Sequence, residues 1–288
     1  MRFQITIPDT DFGARAYSPA LRRWMVPDPL GEKYYGVNPY AYCSGDPVNL
    51  VDLLGKEITG ATRKDAERVV EDLRSLFIGE DLEKLRNLIT QSGKKKNGKS
   101  LSKISTESLS LALSGVSLSD DQKALIEIVV NTINSDNIHR IEYLEEEGNI
   151  SFRAQEAFLP KLLTESNRDL LQTVLDANNG LPAAYLINIG GGGITTTTAN
   201  GGTYTLIFPS NHPFGRSVTV GHELLGHGRS LALGLFQSND PNDILQHICA
   251  IQTENLILRV LGISYINTGA NHGPETIISN ATDLPNFR

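Results

Sequence analysis

The chain has 288 residues, 40% hydrophobic and 20% charged, which suffices for one large or two modest globular domains. A net charge of -7 and a pI near 5.4 do not suggest a nucleic-acid binder, which would usually show a basic face. Two cysteines, Cys43 and Cys249, are too few for a cysteine zinc cluster, and both read as buried small apolar residues.

The first residues, with Asp9 and no long apolar core, do not read as a signal peptide. No run reaches the roughly 18 apolar residues of a spanning helix. A soluble chain that leaves the cell then needs a specialised secretion route. Residues 1–58 hold the only Trp, Trp24, and Pro or Gly every few positions. That composition forbids long helices and predicts short strands joined by turns.

The order Asp11-Phe12-Gly13-Ala14-Arg15-Ala16-Tyr17, Ser18-Pro19, Arg23-Trp24, Pro27-Asp28-Pro29-Leu30, Asn38-Pro39-Tyr40-Ala41-Tyr42, Asp46-Pro47-Val48-Asn49 and Asp52 with Gly55 resembles the C-terminal end of the RHS-repeat-associated core. In that family this segment closes a β-shell and hands over to a variable C-terminal effector, often a toxin. The resemblance implies a bacterial effector and a cognate immunity protein as partner. Leu53 replaces the proline of the family's closing Asp-Pro-x-Gly, the motif linked there to self-cleavage.

Residues 59–288 read differently. Thr62 to Glu67 opens an amphipathic helix with Ala66, Val69, Val70, Leu73 and Phe77 at helical spacing. A second helix is expected near Leu82 to Ile89, and a loop or hairpin over Ser92 to Ser102, whose lysines Lys94, Lys95 and Lys96 read as solvated. Ser119 caps a helix through about Ile133. A strand is expected at Arg140 to Leu144, pairing with Ile150 to Phe152 across a turn. One or two helices follow over Ala154 to Ala177. Next come strands at Ala184 to Ile189, Ile194 to Thr198 and Tyr204 to Phe208. Two long helices are expected near Ser217 to Leu235 and Pro241 to Leu261, then an irregular tail. The glycines at 190–193 precede a strand and so do not form a dinucleotide loop. The expected class is α+β: a small mixed sheet packed on an active-site helix, with additional helices.

The chemistry concentrates in Gly221-His222-Glu223-Leu224-Leu225-Gly226-His227. A zinc-peptidase helix usually carries two histidines four apart, about 400° of rotation, so that both face one ion. The glutamate after the first histidine takes a proton from the metal-activated water. Here the histidines are five apart, and an ideal α-helix would splay them by roughly 140°. A π-type bulge is needed to absorb the extra residue, and Gly226 makes that distortion cheap.

His-Glu-Leu-Leu-Gly-His resembles the motif of the dipeptidyl-peptidase III family, zinc peptidases with this longer spacing. The context also resembles the zincin-like metallopeptidase toxin domains found behind RHS cores. These resemblances imply Zn2+ bound by His222 and His227, with Glu223 as catalytic base and a protein or peptide as substrate. A third ligand is expected from the next helix. Glu254, inside an apolar segment where a carboxylate is costly to bury unpaired, is the choice. His247, seven residues earlier, is the competitor, as ligand, supporting partner or transition-state donor. His139, His212 and His272 read as surface or loop residues without a role. The competing functions are a zinc amidase acting on cell-wall peptides and a catalytically inactive interaction domain. A sheet edge at 194–198 or 204–208 would receive an extended peptide.

Overall fold

The computed structural model describes residues 58–92, 100–189, 192–198, 202–209, 213–234, 244–270 and 276–287, with strand residues 10–11, 16–18 and 23–24. Two compact units divide the chain, Met1–Gly55 and Lys56–Arg288. In the first unit, β1 (Thr10–Asp11), β2 (Ala16–Ser18) and β3 (Arg23–Trp24) form an antiparallel sheet. Cys43, Leu53 and the lysine run at 94–96 lie outside the described residues.

The second unit is mixed α+β. A four-stranded sheet runs in the order β4 (Ile58–Gly60), β5 (His139–Tyr143), β7 (Thr203–Ile207), β6 (Gly193–Thr197). The first three strands are parallel, and β6 lies antiparallel to β7 at the edge. Parallel neighbours require long crossovers. Between β4 and β5 these are α1 (Arg63–Ser75), a 3-10 turn running into α2 (Glu83–Leu88), α3 (Thr106–Ala112) and α4 (Asp120–Ile133). Between β5 and β6 come α5 (Phe152–Leu162), α6 (Arg168–Asn178) and α7 (Ala183–Ile189).

Strand alternation sorts the core into two layers. Ile58, Ile141, Tyr143 and Ile207 join Val69 and Leu73 of α1 and Leu125 and Val129 of α4. Tyr204, Leu206 and Phe208 face the other way, into Ala154 and Phe158 of α5, Leu171 of α6 and Leu186 of α7. The sheet is thus covered by helices on both faces.

Local signals explain the best-placed helices. Thr62 and Asp65 form a reciprocal capping box at α1, as do Ser119 and Gln122 at α4. Two expectations are corrected. Residues 183–189 are helix, not strand: Pro182 precedes the first turn, and Ala183 and Leu186, three apart, share a buried face. Ile150–Phe152 does not pair with β5. Ser151 caps α5, its side chain accepting from Ala154 N, while its own N–H and hydroxyl donate to Glu142 at 2.9 and 2.6 Å. The tail after Val260 contains no α-helix and no strand among the described residues, and no described helix is long and apolar enough to cross a membrane.

His139 is also corrected. It is only 1% exposed, in β5, with Nδ1 3.0 Å from the Thr203 hydroxyl. Burial, reinforced by the nearby Arg229 charge, lowers its pKa from 6.5 to about 4. Below pH 6.5 the unfolded chain takes up a proton that the folded chain refuses until about pH 4. Stability at this residue is therefore full above 6.5 and lost as pH falls, by roughly 3 kcal/mol in all. Urea unfolding at pH 7 and pH 4 is expected to show a loss larger by about that amount in the native chain than in His139→Gln.

Candidate metal centre

After β7 the chain enters one continuous helix in three parts: α8 (Arg216–Val220), a π-helical segment (Gly221–Gly228) and α9 (Arg229–Ala232). The residues on either side of each junction keep right-handed helical backbone angles, so the axis is unbroken. Arg216 fixes its start, with Nε 2.8 and 3.1 Å from the two carboxylate oxygens of buried Asp72 on α1.

The π-helical segment holds the whole motif, and all eight of its residues are buried. An i→i+5 helix advances by roughly 80° per residue, so five residues return to about the starting direction. His222 and His227 accordingly share a face, with ring centroids 5.0 Å apart and planes at 69°. The wider winding persists to the exit, where Arg229 N–H reaches the Leu224 carbonyl five residues back. The Ser230 hydroxyl donates to the Gly226 carbonyl at 2.8 Å.

The last long helix, α10 (Ile244–Val260), lies against this segment. Its apolar residues from Cys249 to Leu258 are buried, so both its sides are covered. The contact point is Gly226 against Ala250: a Cβ on Gly226 would stand 2.6 Å from Ala250 Cα and 3.0 Å from its Cβ. Gly226 has a second use beyond the cheap distortion expected of it, since it lets two backbones approach.

That approach places donors from α10 beside the motif. Glu254, 5% exposed, meets His222: its Oε2 lies 2.9 Å from His222 Nδ1. The same oxygen accepts from Asn267 Nδ2 at 2.9 Å. Asn267 belongs to the tail and is tied back to α10, its N–H donating to Asn255 Oδ1 and its carbonyl accepting from Asn255 Nδ2. At the other end, His247 is half-buried, and its ring centroid is 5.1 Å from that of His227, edge to face.

Glu223 is 7% exposed and points toward the sheet. The Thr195 hydroxyl of β6 donates to its Oε2 at 2.8 Å and lies 3.2 Å from its carbonyl oxygen. With that hydrogen committed, the Thr205 hydroxyl, 3.1 Å away, is the one that donates to Thr195. Gly193 opens the space: a Cβ there would stand 2.8 Å from Glu223 Cγ. Burial pushes the Glu223 carboxyl above the usual range, against the His222 charge and the Thr195 hydrogen bond. For His222, burial disfavours the charged form, but Glu254 and the Glu223 charge outweigh it and raise its pKa.

The residues singled out from sequence, His222, Glu223, His227, Glu254 and His247, are therefore brought together. His212 and His272 lie outside the described residues. Thr195, Gly193, Asn255 and Asn267 were not foreseen. Of these, only Asn255, a second polar residue beside Glu254 in an apolar helix, left a trace in the sequence.

The donor chemistry suits zinc, and the ring spacings test the fit. Two imidazoles on one tetrahedral zinc, each N about 2.0–2.1 Å from it, have centroids roughly 5 Å apart. Both observed spacings meet that value. Among the described residues no three donors are gathered around one point as a ready-made cage.

Two substitutions check these packing and polar contacts. Gly226→Ala forces the helices apart and is expected to cost about 1–3 kcal/mol or more in urea unfolding. Thr195→Val removes a donor from a buried carboxylate and is expected to cost about 1–3 kcal/mol, with Thr195→Ser restoring most of it.

Comparison with protein-family models, with curated proteins and with solved structures finds no match to this chain, so the functional reading rests on the site itself.

Proposed function

We propose that the second unit is a zinc-dependent, zincin-like metallopeptidase, the C-terminal effector of an RHS-type toxin that hydrolyses peptide bonds in a protein or peptide substrate. One observation carries this reading: the π-helical winding of Gly221–Gly228, which turns two histidines five residues apart onto one face with a buried glutamate between them. A rare backbone form at the one place where a metal motif needs it is hard to account for as structure alone. The resemblance of residues 1–58 to an RHS-core terminus supports the effector role.

His222 and His227 would hold the ion, completed by a donor from α10. Zinc held there supplies Lewis acidity, which makes a water nucleophilic near neutral pH and polarises a carbonyl. The work of the protein is then positional. Thr195 fixes Oε2 of Glu223, so Oε1 would be the oxygen that accepts a proton from the attacking water and returns it to the leaving amine. Strand β6, which supplies Thr195, is the sheet edge next to the site, whereas β7 is flanked on both sides. An extended substrate pairing with β6 would lie alongside Glu223.

The full chain is expected to take up one zinc per molecule and to cleave an unstructured protein such as casein. Glu223→Ala is expected to keep the zinc and lose turnover by at least about 100-fold, the scale of general acid–base catalysis. Metal analysis beside a peptide-release assay checks this, and undiminished turnover in that variant would remove Glu223 as the base.

A further inference from the structure

Alternation along β5 sends Arg140 and Glu142 to the sheet face opposite Ile141, where Tyr204 of β7 is the cross-strand neighbour of Arg140. This is the face away from Thr195 and Glu223. Strand β4 leads into α1 on one side of the sheet, and β5 into α5 on the other. The crevice beyond the C-terminal ends of strands whose connections part in this way is where open parallel sheets hold ligands. Here it contains a cavity of about 610 Å³, walled by Thr62 and Lys64 after β4, Glu142 and Tyr143 ending β5, and Phe152 and Arg153 opening α5. A neighbouring cavity of about 440 Å³ shares Arg140, Arg153 and Tyr204 with it.

The charges of the larger cavity do not cancel. Its carboxylates are engaged: Asp65 accepts from Thr62 and from the Tyr143 N–H, Glu142 from Ser151 and the Tyr204 hydroxyl, and Glu145 pairs with Lys64 and Arg68. Arg140 and Arg153 are left over. Among the described residues neither guanidinium makes a hydrogen bond or an ion pair, not even with Glu156, the exposed carboxylate lining the smaller cavity. Arg140 is half-buried, and burial first and the Arg153 charge second lower its pKa, a pull that Tyr204 and Glu142 only partly offset. Two like charges held together without a counter-ion leave the folded chain short of an anion. Phe152, 74% exposed, adds an open aromatic ring to the same wall.

We propose that this crevice binds a small phosphorylated ligand carrying a planar ring, its phosphate held by Arg140 and Arg153 and its ring by Phe152. Two guanidiniums match the charge of a phosphate monoester near neutral pH, and each presents paired N–H donors to its oxygens. The cavity has the volume of a small-molecule site, and an open aromatic face suits stacking. The site lies across the sheet from Glu223 and stands independently of the zinc reading.

The test is isothermal titration of the full chain with adenosine 5′-monophosphate, ribose 5-phosphate and adenosine. The variants are Arg140→Gln, Arg153→Gln and Phe152→Ala, with Arg63→Gln as control, since Arg63 is exposed and paired with Glu67 on α1. The monophosphate is expected to bind the native chain and Arg63→Gln alike. Its affinity is expected to fall about 10–100-fold in either of the other arginine variants, the scale of a lost charge-assisted hydrogen bond, and several-fold in Phe152→Ala. Ribose 5-phosphate is expected to bind more weakly and adenosine not detectably. Arg153 is exposed, so its variant keeps the fold and carries the test even if Arg140→Gln does not. No uptake of either phosphate by the native chain at millimolar concentration, or undiminished uptake by Arg153→Gln, would overturn the site. Adenosine binding as tightly as its monophosphate would overturn the role given to the arginines, and equal binding of the two phosphates the role given to Phe152.

Discussion

The site is organised by a close approach of two helices, where Gly226 meets Ala250. Neither residue has a functional group, yet their contact sets how far α10 stands from the motif. With backbones this near, side chains one turn away on α10 reach the histidines directly, Glu254 to His222 and His247 to His227. A larger residue at the crossing would move every donor on α10 outward together. The π-helical winding solves the complementary problem within one helix, returning His227 to the direction of His222 after five residues. One constraint is rotational and the other translational, and Gly226 serves both.

The second organising feature is how the sheet treats Glu223. A buried carboxylate is expensive unless its oxygens find donors. Strand β6 supplies one through Thr195 and makes room through Gly193, so a single edge strand sets both the position and the solvation of the acid. The Thr205 hydroxyl on β7 supports Thr195 in turn. The polar face of these two strands is therefore coupled to the motif, while their apolar face, Tyr204 and Leu206, packs against α5 to α7.

What could be read from the sequence was local. Capping boxes at Thr62 and Ser119 announced α1 and α4, and the histidine spacing demanded a π-type distortion that is present. The α+β class followed from mixed helical and strand periodicities. What could not be read was set by distant partners. Residues 183–189 are apolar and short, a length at which periodicity does not separate strand from helix. Ser151 was read as strand because its true partner, Glu142, lies across a turn and uses the serine to start a helix. His139 was taken for a surface residue because nothing near it in sequence reveals Thr203, which joins it in the interior. Asn267 sits in a segment without regular structure, and only the folded chain shows that its amide holds Glu254.

That last link has a temporal side. Asn267 follows Glu254 by thirteen positions and lies beyond the end of α10. During synthesis the motif helix emerges first, α10 next and the asparagine last. His222 therefore waits for the tail to dock before its ring is held.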